Sequence, residues 1–388
     1  MWALLLAGSS DLIREVNKMK IGIDARNLVP KLSGIGRYVI ETSRQLAELG
    51  HEILLYLPEP PSSPESMPPG VVQNISQFSG AVPRILWGNT RLLRLAKQDQ
   101  LDIFWGPAHR LPILGNIEVP QVLTIHDLVW YHASTTMRFR GWLGERVFMG
   151  RSIRRADRIV SVSLATKAAI AALYPCAENK IDVVYPGCTP LVSRISAEIL
   201  ELQNIDRPFV LFVGTLEPRK NLHGLLKAFA ALPESVRAGL LLVIAGGQGW
   251  GLDDLQSEVA RLRLSASVRL TGFVSDAELG ALYKAAKFLA MPSHYEGFGL
   301  PIIEANAAGI PALTSNTSSM PEVGGNAALL VEPSSVQSIA EGLARLATDT
   351  SLYAKLSSAS KANAERFNWR ASAAALSNIF TDTLRGRE

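Results

Sequence analysis

Short apolar runs alternate with helix-length amphipathic segments along almost the whole chain, and no other feature constrains its fold as much. Repetition of strand, helix and strand forces a parallel sheet with helices on its faces. "KIGID", residues 20–24, reads as a buried strand. "GIGRYVIETSRQLAELG" follows as an amphipathic helix, with Val39, Leu46 and Leu49 on one face and Gly50 as its stop. "HEILLYL" is the next strand and completes the unit. "LDIFW", "QVLTI", "RIVSVS" and "IDVVY" carry the alternation on to about residue 186. It restarts with "FVLFVG", "LLLVIAG", "VRLTG", "FLAMP", "PALTS" and "ALLVEP". The expectation is an α/β chain with two doubly wound, Rossmann-like domains, 19–190 and 207–368, and a hinge at 191–206. A length of 388 residues, too great for one ordinary core, agrees with two. A last helical segment, 369–388, has no strand after it. Two open α/β domains set face to face enclose a cleft beyond the carboxyl ends of their strands, so ligand-binding loops belong directly after strands.

Composition narrows the function classes. Hydrophobic residues are 47% and charged residues 19%, which argues against long disorder. Cys176 and Cys188 sit in unrelated contexts, so no disulfide framework is indicated and a cytoplasmic, reducing setting is expected. A net charge of +4 favours anionic partners such as nucleotides or lipid head groups and is too small to argue for nucleic acid. "MWALLLAGSS" has too short an apolar run, and no positive segment before it, for a signal peptide. Residues 1–18 are expected to be an extension outside the fold. No run of eighteen apolar residues occurs, so no spanning helix is expected. "PEPPSSPESMPPG" is too rich in proline for a regular element and reads as a mobile loop.

Four post-strand loops carry candidate chemistry. In "SGIGRY", Gly34 and Gly36 allow backbone N–H groups to approach a phosphate at a helix N-terminus, or simply make a tight turn. Val39 stands where a dinucleotide fingerprint needs its third glycine, which disfavours NAD chemistry. In "FVGTLEPRKNL", Arg219, Lys220 and Asn221 stand at the start of a helix. Cations there oppose the helix dipole unless an anion joins them, and each charge-assisted hydrogen bond to one is worth ~1.5–3 kcal/mol. That favours a diphosphate over a solvated turn. In "TIHDL", His126 follows its strand directly with Asp127 beside it, although a lone histidine is more often structural. "VSVSLATK" lacks the nucleophile elbow of a serine hydrolase, and Ser161 and Ser163 read as strand-end and helix N-cap residues. No cluster has metal-ligand spacing.

The fourth loop is "EGFGLPIIE", residues 296–304. Pro301 suits a first helical turn, Glu304 lies in that turn and Glu296 in the loop before it. The spacing presents two carboxylates and the bare N–H groups of Gly297, Phe298, Gly299 and Leu300 to one ligand. Carboxylates accept well from the hydroxyls of sugars and riboses. The alternative, that both glutamates complement the helix N-terminus, accounts for Glu304 and leaves the Gly-Phe-Gly loop unexplained.

This stretch resembles the Glu-x7-Glu motif of retaining, nucleotide-sugar-dependent glycosyltransferases of family 4, which have the GT-B fold. "SGIGRY", "TIHDL", "RADRIVSVS", "VGTLEPRKN", "LTGFVSD" and "SSMPEVGGNAALLVEP" match in the family's order, across about residues 19–385. The start, "MKIGIDARNL…SGIGRY", is most similar to bacterial mannosyltransferases of polysaccharide and O-antigen assembly. The resemblance implies that Arg219 and Lys220 hold the donor diphosphate, with Gly34 and Gly36 closing on it from the first domain. It implies that Glu304 holds the ribose, and that Gly272, Phe273 and Val274 line the base pocket. Glu296 contacts the donor sugar, the N–H groups of residues 297–300 bind sugar hydroxyls or phosphate, and His126 sits near the anomeric carbon. The terminal helix crosses back to brace the first domain.

The implied reaction retains anomeric configuration while a nucleoside diphosphate departs, its charge met by Arg219, Lys220 and the helix end. No Asp-x-Asp motif occurs, so no metal and no cofactor are expected beyond the nucleotide-sugar co-substrate. The implied partners are that donor, with GDP-mannose ahead of a UDP-hexose, and a glycan or polyprenyl-diphosphate-linked acceptor. "RFRGWLGERVFMGRSIRRADR" mixes arginines with Trp142, Leu143, Val147 and Phe148. It reads as an ordinary helix with a solvated basic face ahead of a surface that touches the membrane or a lipid diphosphate. His109, in "WGPAHRLP", also follows a strand, and such loop histidines usually do nothing specific. A nucleotide-sugar epimerase and a non-catalytic sugar-binding subunit share the architecture. The Arg-Lys pair and the two glutamates disfavour the first, and intact Glu296, Lys220 and His126 disfavour the second.

Overall fold

The computed structural model describes residues 18–29, 34–61, 67–115, 117–133, 139–189, 191, 197–247, 249 and 255–386. The expected extension at 1–18 therefore lies almost wholly outside the described residues, as do the middle of the proline-rich stretch and residues 192–196 of the expected hinge.

The first sheet comprises β1 (Lys20–Asp24), β2 (Glu52–Leu57), β3 (Val72–Ile75), β4 (Ile103–Gly106), β5 (Gln121–Ile125), β6 (Arg158–Ser161) and β7 (Ile181–Val183). They are ordered β3-β2-β1-β4-β5-β6-β7, and every pairing is parallel. The second sheet comprises β8 (Phe209–Val213), β9 (Leu241–Ala245), β10 (Val268–Gly272), β11 (Phe288–Met291), β12 (Ala312–Ser315) and β13 (Ala328–Val331). Its order is β10-β9-β8-β11-β12-β13, again parallel throughout. The central strands are buried on both faces, as continuous apolar runs require. The two expected doubly wound domains are both present.

Strand order reverses between β1 and β4 in one sheet and between β8 and β11 in the other. A reversal opens a crevice at the carboxyl ends of the two strands. The loops after β1, β8 and β11 are the "SGIGRY", "LEPRKN" and "EGFGL" segments, so both crevices collect the candidate residues.

The strand β3 has no counterpart among the sequence expectations. It pairs only with β2 at the sheet edge, and its Val72 and Ile75 are exposed, so it carries neither an apolar run nor an inward alternation. Within the expected hinge, Ala197–Leu202 is a helix that packs on the helix Asp276–Ala285. The terminal helix, Trp369–Arg385, packs on the helix Gly34–Glu48, and its Trp369, Ala373, Leu376 and Phe380 join the core around β1. Asn368 caps its N-terminus through the N–H groups of Arg370 and Ala371, and Trp369 Nε1 donates to Thr189 Oγ1 at 2.8 Å. Among the described residues, no helix is long and apolar enough to cross a membrane.

Candidate active site

The loop after β8 does not run straight into a helix. Pro218–Lys220 forms a 3₁₀ turn, Asn221 adopts the left-handed region at φ 58°, and the helix Leu222–Ala230 begins after it. The Asn221 amide donates to Pro292 O at 2.9 Å and Pro333 O at 2.7 Å, so this side chain ties the loop to the one after β11 and does not reach for an anion. Gly224 makes room for it, since a Cβ there would lie 2.3 Å from Asn221 Oδ1.

Lys220 and Arg219 both turn to Glu296. Lys220 Nζ donates to Glu296 Oε1 at 2.6 Å, and Arg219 Nη1 donates to Oε2 at 2.7 Å. Arg219 also reaches Tyr295 O at 3.1 Å and Glu217 Oε1 at 2.6 Å. Lys220 and Glu296 are 6% and 5% exposed, so these charges meet in a dry setting where pairing is strong. Burial alone raises a carboxyl pKa, but Arg219 and Lys220 outweigh it and hold Glu296 at about 2. Burial pulls the Lys220 ammonium down against Glu296, and pushes Glu217 up. The two cations and the Glu296 carboxylate thus form one network.

The loop after Glu296 is shaped by close approach. A Cβ on Gly297 would lie 1.8 Å from His126 O, so only glycine lets the two domains meet there. Gly299 sits at φ 108° and precedes the helix Leu300–Ala307. Ser163 Oγ donates across the cleft to Gly297 O at 2.7 Å, and Ser319 Oγ donates to Phe298 O at 2.8 Å. The loop's carbonyls are thereby occupied, while among the described residues no acceptor lies against the N–H groups of Gly297, Phe298, Gly299 and Leu300. The Phe298 ring itself is core, packed on Phe367 and Tyr185. A Cβ on Gly34 would stand 3.6 Å from Leu300 Cδ1, so the first domain's glycine turn faces this loop, with Gly36 buried one residue pair further along the same helix.

Glu304 accepts from Tyr283 Oη at 2.8 Å and lies 3.6 Å from Arg37 Nη1. Burial raises its pKa against the pull of Tyr283 and Arg37. Arg37 Nη2 also meets Asp276 Oδ1 at 2.6 Å. Gly272 turns at φ 70°, its carbonyl accepts from Gly246 N at 2.8 Å, Phe273 is 84% exposed and Val274 packs on the core.

His126 Nε2 lies 2.7 Å from Pro107 O. A carbonyl only accepts, so Nε2 carries the proton and Nδ1 keeps its lone pair. Burial, reinforced by His109 with ring centroids 5.5 Å apart, lowers the pKa of His126 to about 4. Its ring meets Tyr38 edge-on at 4.8 Å. Asp127 Oδ1 accepts from Val129 N at 3.3 Å and holds the turn. Ser163 is the N-cap of the helix Leu164–Leu173, and Ser161 ends β6.

Arg37, Glu217, Tyr283 and Tyr295 belong to the site and were not singled out from sequence. Arg37 and Glu217 lie inside quoted motifs, so spacing was available for both, whereas the tyrosines depend on packing. Among the described residues, no group of three or more His, Cys, Asp or Glu side chains is arranged to hold a metal.

Comparison with known proteins finds one family model in each half of the chain. The glycosyltransferase family 4 model matches residues 32–190, and the glycosyl transferases group 1 model matches residues 198–363. O-antigen chain mannosyltransferase B of Escherichia coli is 30% identical over 379 residues, covering 90% of this chain and 96% of that protein. Sucrose-phosphate synthase of Thermosynechococcus elongatus superposes with a TM-score of 0.77 at 20% identity, covering 95% of this chain and 100% of that one. Anabaena HepE in complex with UDP and glucose superposes at 0.75 with 20% identity, covering 94% and 100%. At such identities the likeness concerns the fold.

Proposed function

The chain belongs to glycosyltransferase family 4, with the GT-B fold, and from that premise we propose that it transfers mannose from GDP-mannose, with retention, to a glycan or lipid-linked glycan acceptor of cell-surface polysaccharide. The reaction would take place in the cytoplasm. The observation that carries the donor half is the convergence of Arg219, Lys220 and four N–H groups on one side of the cleft. Cations and backbone donors fixed in place are suited to the charge that grows on a departing diphosphate, and removing one such donor typically costs ~2.7–4 kcal/mol of transition-state stabilisation.

Each residue then has a task. Glu296 keeps Arg219 and Lys220 charged and aligned, and shares them with the diphosphate when the donor arrives. Glu304 and Tyr283 address the ribose hydroxyls. Gly272, Phe273 and Val274 offer backbone to the base. His126, neutral at pH 7, offers a lone pair to a sugar or acceptor hydroxyl beside the anomeric carbon. Closure of the two domains excludes water and limits hydrolysis. The choice of mannose is supported by the likeness to an O-antigen mannosyltransferase.

A thermal-shift screen against GDP, UDP, ADP and their sugar conjugates tests this reading. A ligand at a hundred times its dissociation constant stabilises the folded state by about 2.7 kcal/mol. Shifts confined to GDP and GDP-mannose are expected. Shifts with UDP conjugates instead would replace the donor and keep the enzyme class, and no shift with any nucleotide would overturn the reading.

A further inference from the structure

Away from the donor residues, the first domain has a cavity of about 590 Å³ between the helix Phe139–Arg155, the short helix Val129–His132 and Tyr174. Its walls combine Trp130, Trp142 and Tyr174 with Arg146 and Arg154. The Arg146 guanidinium lies 5.3 Å from the Trp142 ring centroid, which holds a cation and an aromatic face side by side. A Cβ on Gly150 would stand 3.1 Å from Tyr174 Oη, so the glycine leaves that hydroxyl room at the cavity wall. A second cavity, of about 410 Å³, adjoins the first at Arg154 and adds Arg151 and Arg155.

The charge here is lopsided. Among the described residues, none that lines either cavity is acidic. Neighbouring arginines are neutralised, Arg110 by Glu145 and Arg158 by Asp182. Among the described residues, Arg146, Arg151 and Arg154 have no carboxylate partner. Arg154 and Arg155 complement the C-terminal end of their helix, as cations do. That leaves Arg146, more than two turns earlier, and the aromatic wall unexplained. Burial raises the Tyr174 hydroxyl against the pull of Arg154 and Arg146, which puts both guanidiniums within electrostatic reach of one point.

We propose that this depression binds a phosphate or diphosphate ester whose apolar or ring portion lies on the aromatic wall. Arginine forks match phosphate oxygens, and the volume suits a compact organic ligand. The site lies next to the His126 loop, because Trp130 and Tyr131 follow it by a few residues. Its part in catalysis, holding the phosphate-bearing end of the acceptor, rests on the transferase reading, whereas the binding itself does not.

Titration calorimetry of the full chain with farnesyl diphosphate, inorganic diphosphate and phosphatidylglycerol vesicles tests the site. Farnesyl diphosphate should bind, at least tenfold more weakly to the Arg146→Ala/Arg154→Ala variant, with Tyr174→Phe intermediate and the melting temperatures unchanged. Equal affinity in wild type and the double variant would overturn the proposal, as would binding lost on Lys220→Ala but kept in the double variant. Inorganic diphosphate binding as tightly as farnesyl diphosphate would remove the aromatic half. Vesicle binding without farnesyl diphosphate binding would replace the pocket by a membrane surface. The nucleotide shift of the double variant reports separately on the donor reading, since neither Arg219 nor Lys220 lines these cavities.

Discussion

Glu296 meets two cations with one carboxylate, so a substitution that keeps its shape isolates its charge. Glu296→Gln should lower turnover at least tenfold, about 1.4 kcal/mol in the barrier. It should also destabilise the fold by about 3 kcal/mol, because Lys220 is left buried without a counter-charge. The pH dependence follows from a folded-state pKa of about 2 against an ordinary 4.5. A carboxyl depressed on folding stabilises fully above its ordinary pKa and loses that contribution as pH falls towards the folded value. The stability gap between wild type and Glu296→Gln, read by urea unfolding, should therefore narrow between pH 4.5 and 2, and a constant gap would refute the ion-pair account. His126 has the same sign of proton linkage in a higher pH window. Its folded pKa of about 4 lies below the ordinary 6.5, so the unfolded chain binds the proton first. Its contribution is complete above pH 6.5 and declines as pH falls to 4, by up to about 3 kcal/mol. His126→Gln should flatten the stability profile in that window, and an unaltered profile would mean that His126 titrates normally.

At the scale of elements, the loop between β11 and the helix Leu300–Ala307 depends on two glycines for different reasons. Gly299 needs its left-handed φ, whereas Gly297 needs the absence of a Cβ against His126 O. Gly297→Ala should reduce activity more than Gly299→Ala, because only the former pushes the two domains apart. Steady-state rates of the two variants at matched folded fractions decide this, and equal losses would contradict it. The same loop marks what sequence discloses. Buried strands were legible because parallel sheets make continuous apolar runs, and β8, β9 and β11 of the second domain fall on such runs. The edge strand β3 was hidden because its exposed side chains carry no such signal. The helix Ala197–Leu202 was hidden because it is short and flanked by unpatterned residues. In the candidate site, the positions of Arg219, Lys220, Glu296 and His126 after their strands could be read from spacing. Their partners could not. That Glu296 bridges both cations, that Asn221 turns back to Pro292 and Pro333, and that Tyr283 reaches Glu304 all arise from long-range packing.

Across the whole molecule, charged side chains of one domain end on backbone or carboxylates of the other. Arg37 spans from the helix Gly34–Glu48 to Asp276 and Glu304. Glu322 accepts from Leu164 N and Ala165 N, both at 3.1 Å, and so caps a first-domain helix from the second domain. Tyr295 Oη accepts from Leu128 N at 3.1 Å. These polar contacts lie at the cleft beside ring contacts such as Tyr185 on Phe298, and polar pairs of this kind suit a closure that must reverse with each turnover. Arg37 is the most telling, because it meets the carboxylate that would address the ribose. If it draws the domains together over the donor, Arg37→Glu should open the cleft, raise the donor KM about tenfold or more and leave the unfolding temperature nearly unchanged. Asp276→Arg in the same chain should restore part of the loss by re-forming the pair with reversed signs, a coupling that a purely local role for Arg37 does not produce. Small-angle scattering would read the opening as a larger radius of gyration in Arg37→Glu and its return in the double variant. An unchanged radius, with KM unmoved, would leave closure to the backbone contacts at Gly297 and to the Glu322 cap.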